Sequence, residues 1–293
     1  MKMKIGVLGN CQSQGVAQCI RLLAPQVEVT ARRVALADGK NPEVIEMVAD
    51  EMAACDVAFI QDQPRLAALF EPALKRSGPR ARRWPPIVFR GFHPDCVYVM
   101  RKGQPAEGIV GPYHSALICA AWAEGLSPRR AAGLFNSFSY AALGYFDDFK
   151  VAAALLDDHA RRLGFDFSPF LTAPTTSFMH TINHPRVDIL QSVALQALDL
   201  AGVPRAAAAD LPDDDLALGP VWPVYPDLAR RSGWSASPAS WDPSDMEGVA
   251  LRAYDALDRL GDRSLGEQDE PGDKVIMRAR EFIQTHVVHA RQD

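Results

Sequence analysis

Short apolar runs alternate with segments of helical period through the first third of the chain, and few chain arrangements satisfy that pattern. Ile5, Val7 and Leu8 form a strand pattern that Gly9-Asn10 breaks, after which Val16, Ile20 and Leu23 recur at helical spacing. Residues 27–31 alternate as a second strand, and Asn41-Pro42 supplies a cap and a first-turn proline ahead of Val44, Ile45, Val48 and Met52. Residues 55–60 read as a third strand. Leu66, Leu69 and Phe70 read as a short helix that Pro72 ends or kinks, and residues 86–89 as a fourth strand after a basic loop. Strands and helices in this order predict an α/β fold: a three-layer open parallel sheet with helices on both faces.

A parallel sheet delivers the carboxyl ends of all its strands to one edge, where ligands bind in such folds. Asn10-Cys11-Gln12, Gln61-Asp62-Gln63 and the Arg90–His93 stretch are therefore expected to converge there. Cys11 falls on a strand-to-helix turn, at a helix N-terminus whose free N–H groups and dipole favour negative charge. A thiol so placed is expected to be lowered in pKa, with the Gln12 and Ser13 N–H groups pointing where an oxyanion would form. Cys11 is the candidate nucleophile; its plainer reading is a small buried cysteine closing a strand.

Length and composition bound the rest. The 293 residues, 48% of them apolar, allow one large α/β domain or two small ones. Acidic residues outnumber basic ones 36 to 31, and the only basic cluster is Arg80–Arg83, so no nucleic-acid surface is expected. No run approaches the ~18 apolar residues of a membrane span. A strand pattern stands where a secretory signal would, which makes a cytoplasmic location the expectation. Five cysteines without C-x-x-C spacing argue against a disulfide framework and against a zinc cluster, so no metal is expected.

Beyond residue 100 the chain turns helical. Helices are read from Tyr113 to Glu124, after Ser127-Pro128, from about Phe146 to Leu163, and after Asn183-His184-Pro185. Residues 203–245 are irregular and hold Trp222, Trp234, Trp241 and Tyr225, rings that stack on a ligand or, more plainly, staple the segment to the core. A Ser244–Glu247 capping box opens a further helix. The last helix carries His286 and His289, read as a solvated end. The expected division is an α/β catalytic core over 1–200 and an irregular, mostly helical extension over 201–293.

A cysteine nucleophile needs a base and an orienting group. His159 is read as solvent-facing. His93 arrives at the sheet's carboxyl edge and His184 at a helix start looking back at the sheet; either serves as the base. His114, opening a helix, and Arg90 are read as contacts for a phosphate or another anion. Gln61 offers an oxyanion donor, and Asp62 a carboxylate for a histidine or a hydroxyl. For each of these the plainer reading is turn chemistry, an ion pair or a hydrogen-bonded structural histidine.

Gly9-Asn10-Cys11-Gln12, Gly91-Phe92-His93-Pro94-Asp95, Gly111-Pro112-Tyr113-His114-Ser115, Leu143-Gly144-Tyr145-Phe146-Asp147 and Asn183-His184-Pro185 together resemble the WcbI family of capsular polysaccharide biosynthesis proteins, over roughly residues 4–200. The resemblance implies an acetyltransferase that uses acetyl-coenzyme A to acetylate a sugar hydroxyl of a polysaccharide acceptor. It also implies an SGNH/flavodoxin-like architecture, with Cys11 where SGNH hydrolases carry their serine. Those enzymes have Asp-x-x-His-Pro where this chain has Thr181-Ile182-Asn183-His184-Pro185, so the orienting acid comes from elsewhere, Asp62 or Asp95. The same residues suit a cysteine-dependent esterase or thioesterase, or a non-catalytic subunit binding a glycan or coenzyme A.

Overall fold

The computed structural model describes residues 2–35, 38–101, 104–206, 210–235, 239–261, 265 and 271–288. The chain forms two compact units, each assembled from separate stretches: unit 1 from Met1–Val88, Ala154–Ala173 and Asn183–Gly219, and unit 2 from Phe89–Ala153, Pro174–Ile182 and Pro220–Asp293. The expected single break at residue 200 is not among the crossings.

Unit 1 is the parallel sheet. Its elements in chain order are β1 (Lys4–Gly9), α1 (Gln12–Leu23), β2 (Glu28–Arg33), α2 (Pro42–Ala53), β3 (Val57–Gln61), α3 (Ala67–Ser77) and β4 (Ala81–Trp84). All four strands are parallel, in the order β2-β1-β3-β4. Leu8, Ala58 and Ile60 meet Val48, Met52, Leu69 and Phe70 of α2 and α3, burying the apolar stripes that the periodicity marked. Asn41 caps α2 as its sequence suggested, accepting the Glu43 N–H at 3.0 Å.

Two expectations are corrected here. The fourth strand is Ala81–Trp84, the stretch read as a basic loop, and residues 86–89 are irregular. Pro85 and Pro86 have no N–H to donate, so the ladder stops at Trp84. Charge had disguised an edge strand, where arginines are tolerated. The second concerns α3, which runs through Pro72 to Ser77, so of the two expected outcomes, an end or a kink, the proline does not end the helix.

Unit 2 holds β5 (Cys96–Tyr98), β6 (Met100–Arg101), β7 (Gln104–Pro105) and β8 (Tyr113–Ser115), paired β5 with β8 and β6 with β7, both antiparallel. The helix expected from Tyr113 is thus a strand first, and α4 (Ala116–Ala123) follows it. Next come α5 (Pro128–Ala132), α6 (Ser137–Ala142) and α7 (Asp148–Arg162), whose second half belongs to unit 1. Unit 1 also takes α8 (Ser168–Leu171) and α9 (Val187–Leu200). Unit 2 closes with α10 (Pro226–Ser232), α11 (Met246–Asp258) and α12 (Pro271–Ile283). The cap of α11 is Asp245, which accepts the Gly248 N–H, in place of the expected Ser244.

In the irregular segment Trp222, Tyr225 and Trp241 are buried, and the Trp222 ring meets Trp241 edge-on at 5.4 Å. Trp234 packs on Phe92 and Phe149. These rings staple the segment to unit 2. Among the described residues no helix is long and apolar enough to cross a membrane.

Candidate active site

β1 emerges at the carboxyl edge through Gly9 and Asn10 and turns at Cys11, the N-cap residue of α1 (φ −55°, ψ −19°). Only glycine fits at position 9, because a Cβ there would stand 2.7 Å from the Trp84 ring and 3.2 Å from Gln61 Oε1. Gly15, a turn into α1, would likewise press a Cβ within 2.6 Å of Leu190 on α9, so its absence lets α9 close on α1.

Three amide side chains lock the turn. Gln61 Oε1 accepts the Asn10 N–H at 3.1 Å, and Gln61 Nε2 lies 3.3 Å from both Asn10 Oδ1 and Gln12 Oε1. Gln12 Oε1 accepts the Ile87 N–H at 3.0 Å, while its Nε2 donates to the Ile87 and Asn183 carbonyls at 2.8 and 3.0 Å. A side chain of α1 thus serves Ile87 as a strand partner would, and it ties the peptide before His184 to the residue after Cys11.

The expected oxyanion donors are accordingly spent. The Gln12 N–H goes to Asn10 Oδ1 at 3.0 Å, and the Ser13 N–H to the Asn10 carbonyl at 3.1 Å. Ser13 Oγ donates to the carbonyls of Asn10 and Arg32. Asn10, Gln12, Ser13 and Gln61 build the turn, and the Gln12 and Ser13 N–H groups are engaged within it.

Cys11 is partly exposed and carries a free thiol, whereas Cys19, Cys55, Cys96 and Cys119 are buried. Its pKa is raised, against expectation. Burial pushes it up, and the Arg33 charge and the residue's own N–H pull it back only in part. The resting protein holds Cys11 as a thiol. His184 is half-buried in unit 1, in the loop that Gln12 fastens. Arg33, the last residue of β2, was not foreseen, because β2 runs two residues beyond the alternating stretch that marked it.

The other candidates have different surroundings. Asp62 accepts from Arg83 at 2.6 Å and pairs with His159 Nε2 at 2.9 Å, so the carboxylate meets the histidine read as solvent-facing. Burial would raise the Asp62 pKa, yet the bonds from His159 and Arg83 outweigh it and hold it below the usual carboxylate range.

His93 lies inside unit 2, 2% exposed, with its ring nitrogens 3.4 Å from the Pro223 and Met179 carbonyls. Burial drives its pKa down to about 4. That is a structural histidine. His114 is also buried, 3.1 Å from the Ala106 carbonyl, with its pKa lowered by burial, so it offers no charge to a phosphate. Arg90 donates to the Pro94 carbonyl at 2.6 Å and faces Asp148 at 3.5 Å, an internal ion pair instead of an anion contact. Asp95 is fully buried and accepts from Tyr225, Leu117 and Tyr145 at 2.6, 2.9 and 3.0 Å, which makes it a hub of unit 2 and not the orienter of a histidine.

Among the described residues no group of three His, Cys, Asp or Glu side chains could hold a metal ion. His286 packs against Phe282, and His289 lies outside the described residues.

The family described as polysaccharide biosynthesis enzyme WcbI matches residues 4–206. No curated protein matches the chain. Among solved structures, one is similar over 100% of this chain and 98% of its own, with a TM-score of 0.66 and 15% identity. It is of WcbI, described as a novel polysaccharide biosynthesis enzyme, in its native form without a disulfide bond between coenzyme A and a cysteine of that protein.

Proposed function

The chain belongs to the WcbI family of polysaccharide biosynthesis enzymes, and from that premise we propose that it is an acetyltransferase moving an acetyl group from acetyl-coenzyme A to a sugar hydroxyl, with Cys11 as nucleophile. The observation that carries this reading is the placement of Cys11: a partly exposed free thiol at the carboxyl edge of a parallel sheet, on a helix N-terminus, beside a loop carrying a histidine. The coenzyme A and cysteine named for the structural relative fit a thiol at such a position. The strand order and a nucleophile directly after β1 favour the SGNH/flavodoxin-like likeness.

His184 takes the Sγ proton, and the thiolate attacks the acetyl carbonyl of the thioester. The C–S bond to coenzyme A breaks, its thiolate recovers the proton from His184, and an acetyl thioester remains on Cys11. The sugar hydroxyl then gives its proton to His184 and takes the acetyl group, and Cys11 leaves as thiolate and is reprotonated. Thioester exchange between two thiols is nearly isoenergetic, which suits the first half. The raised thiol pKa adds to the need for a base. The acceptor is a sugar of a capsule-type polysaccharide, and the cytoplasm, with its acetyl-coenzyme A and reduced thiols, is the fitting compartment.

Intact-protein mass spectrometry after mixing with acetyl-coenzyme A tests this reading. Wild type should gain one acetyl group, labile to hydroxylamine, and Cys11→Ala should gain none. An unmodified wild type that still acetylates a sugar would remove the covalent step. Rapid loss of the adduct to water without acceptor would favour the thioesterase.

A further inference from the structure

Arg33 is stitched to the turn on both flanks of Cys11. It is register-paired with Gly9 at the end of β2; the Val34 N–H donates to the Gly9 carbonyl at 2.9 Å, and Ser13 Oγ to the Arg32 carbonyl at 3.2 Å. The backbone of residues 32–34 is thereby held to the residues two before and two after the thiol.

Several arginines of unit 1 are held by carboxylates. Arg32 forks onto Glu51, Arg76 meets Glu46 and Asp50, and Arg83 meets Asp62 and Glu71. Arg33 is exposed and meets no carboxylate among the described residues. Among the described residues, the carboxylates on the neighbouring segments are engaged: Asp38, after β2, accepts the Ala35 N–H at 2.7 Å. Glu51 of α2 is held by Arg32, and Asp62 after β3 by Arg83 and by His159 of α7. α1 has no acidic residue in its first turn, and the loop before α9 contributes His184.

We propose that Arg33 is the positioning charge of the site: its guanidinium, with the N-terminus of α1, holds the negative charge that forms on Cys11 when the thiol ionises. The inference rests on reading Cys11 as the nucleophile. Arg33 moves no proton; the proton leaves to the base, and the charge left on sulfur is the one the guanidinium attracts. Its pull on the Cys11 pKa opposes that of burial, the direction this role demands. A positive charge beside the thiol also favours anionic reagents over neutral ones.

Alkylation of Cys11 in the full chain tests this without acetyl-coenzyme A or acceptor. Rates with neutral iodoacetamide and anionic iodoacetate are followed by peptide mass from about pH 6 to 10, a range spanning the ordinary thiol pKa. Arg33→Gln should move the rise in rate to higher pH, lowering the rate near neutrality roughly tenfold for every pH unit the profile moves, and should lower the iodoacetate-to-iodoacetamide ratio. Arg33→Lys should restore most of both, since charge is what is needed. A pH profile and ratio unchanged in Arg33→Gln overturn the proposal. If that variant does not fold, wild type decides: about 1 M salt screens exposed charges, so the ratio should collapse, and a ratio indifferent to salt overturns it equally. A protein that shows the Arg33 effect but never gains an acetyl group refutes the acetyl-transfer reading alone.

Discussion

Gln12 clasps Ile87 with both ends of its amide, accepting the Ile87 N–H at 3.0 Å and donating to the Ile87 carbonyl at 2.8 Å. The same Nε2 reaches the Asn183 carbonyl, so one buried side chain fixes two distant segments against the turn that carries Cys11. Gln12→Leu keeps the volume and leaves those backbone groups without their partner. Such groups cost about 1–3 kcal/mol each, and with three of them left unpaired a total loss of about 3–9 kcal/mol is expected in urea unfolding. An unchanged midpoint would show the clasp to be incidental.

His184 and the raised thiol pKa make a joint prediction about pH. With the base in place, acetylation of Cys11 should proceed near neutrality. In His184→Gln it should fall there by about 100-fold, the ordinary scale of general-base assistance. It should recover as rising pH ionises the thiol unaided. Single-turnover acetylation followed by mass across pH checks this; parallel wild-type and variant profiles would assign the base elsewhere.

His93 should mark the acid side of the stability curve. Its folded pKa of about 4 lies below the ordinary 6.5, so between those values the unfolded chain binds the extra proton. Stability is therefore full above about pH 6.5 and declines as pH falls toward 4, by on the order of 3 kcal/mol for this group. The buried His114 acts in the same direction. Urea midpoints measured across this range should fall in wild type and fall less steeply in His93→Gln.

Asp62 and His159 should behave as a coupled pair. Both are about a quarter exposed, so the interaction is modest, about 0.5–1 kcal/mol. A double-mutant cycle with Asp62→Asn and His159→Gln should return a coupling of that size. Since the Asp62 pKa is lowered, the contribution is present above the ordinary carboxylate pKa and is lost as pH falls through the lower folded value. Additive single variants would mean that Arg83 alone organises the carboxylate.

The parallel sheet, the cap at Asn41 and the position of Cys11 on the first turn could be read from local signals, because periodicity and turn residues act over a few residues. β4 was hidden because an edge strand tolerates arginines, while the apolar run after it begins with two prolines and leans on a glutamine 75 residues away. His93 and His114 looked chemical by position. They are structural because the Met179, Pro223 and Ala106 carbonyls come to them through the fold. Asn10, Gln12 and Gln61 looked like donors for a substrate, but only three-dimensional proximity reveals that they satisfy one another. Arg33 escaped because its strand is longer than its alternating part.

The division of the chain also sets an order of events during synthesis. Unit 1 includes Asn183–Gly219, so the helix and loop that complete it are synthesised well after its sheet. Until then Gly15 has no Leu190 to receive and Gln12 no Asn183 to grip, and the Cys11 turn lacks the loop that carries His184. A nascent chain halted before that point carries the sulfur but not its surroundings.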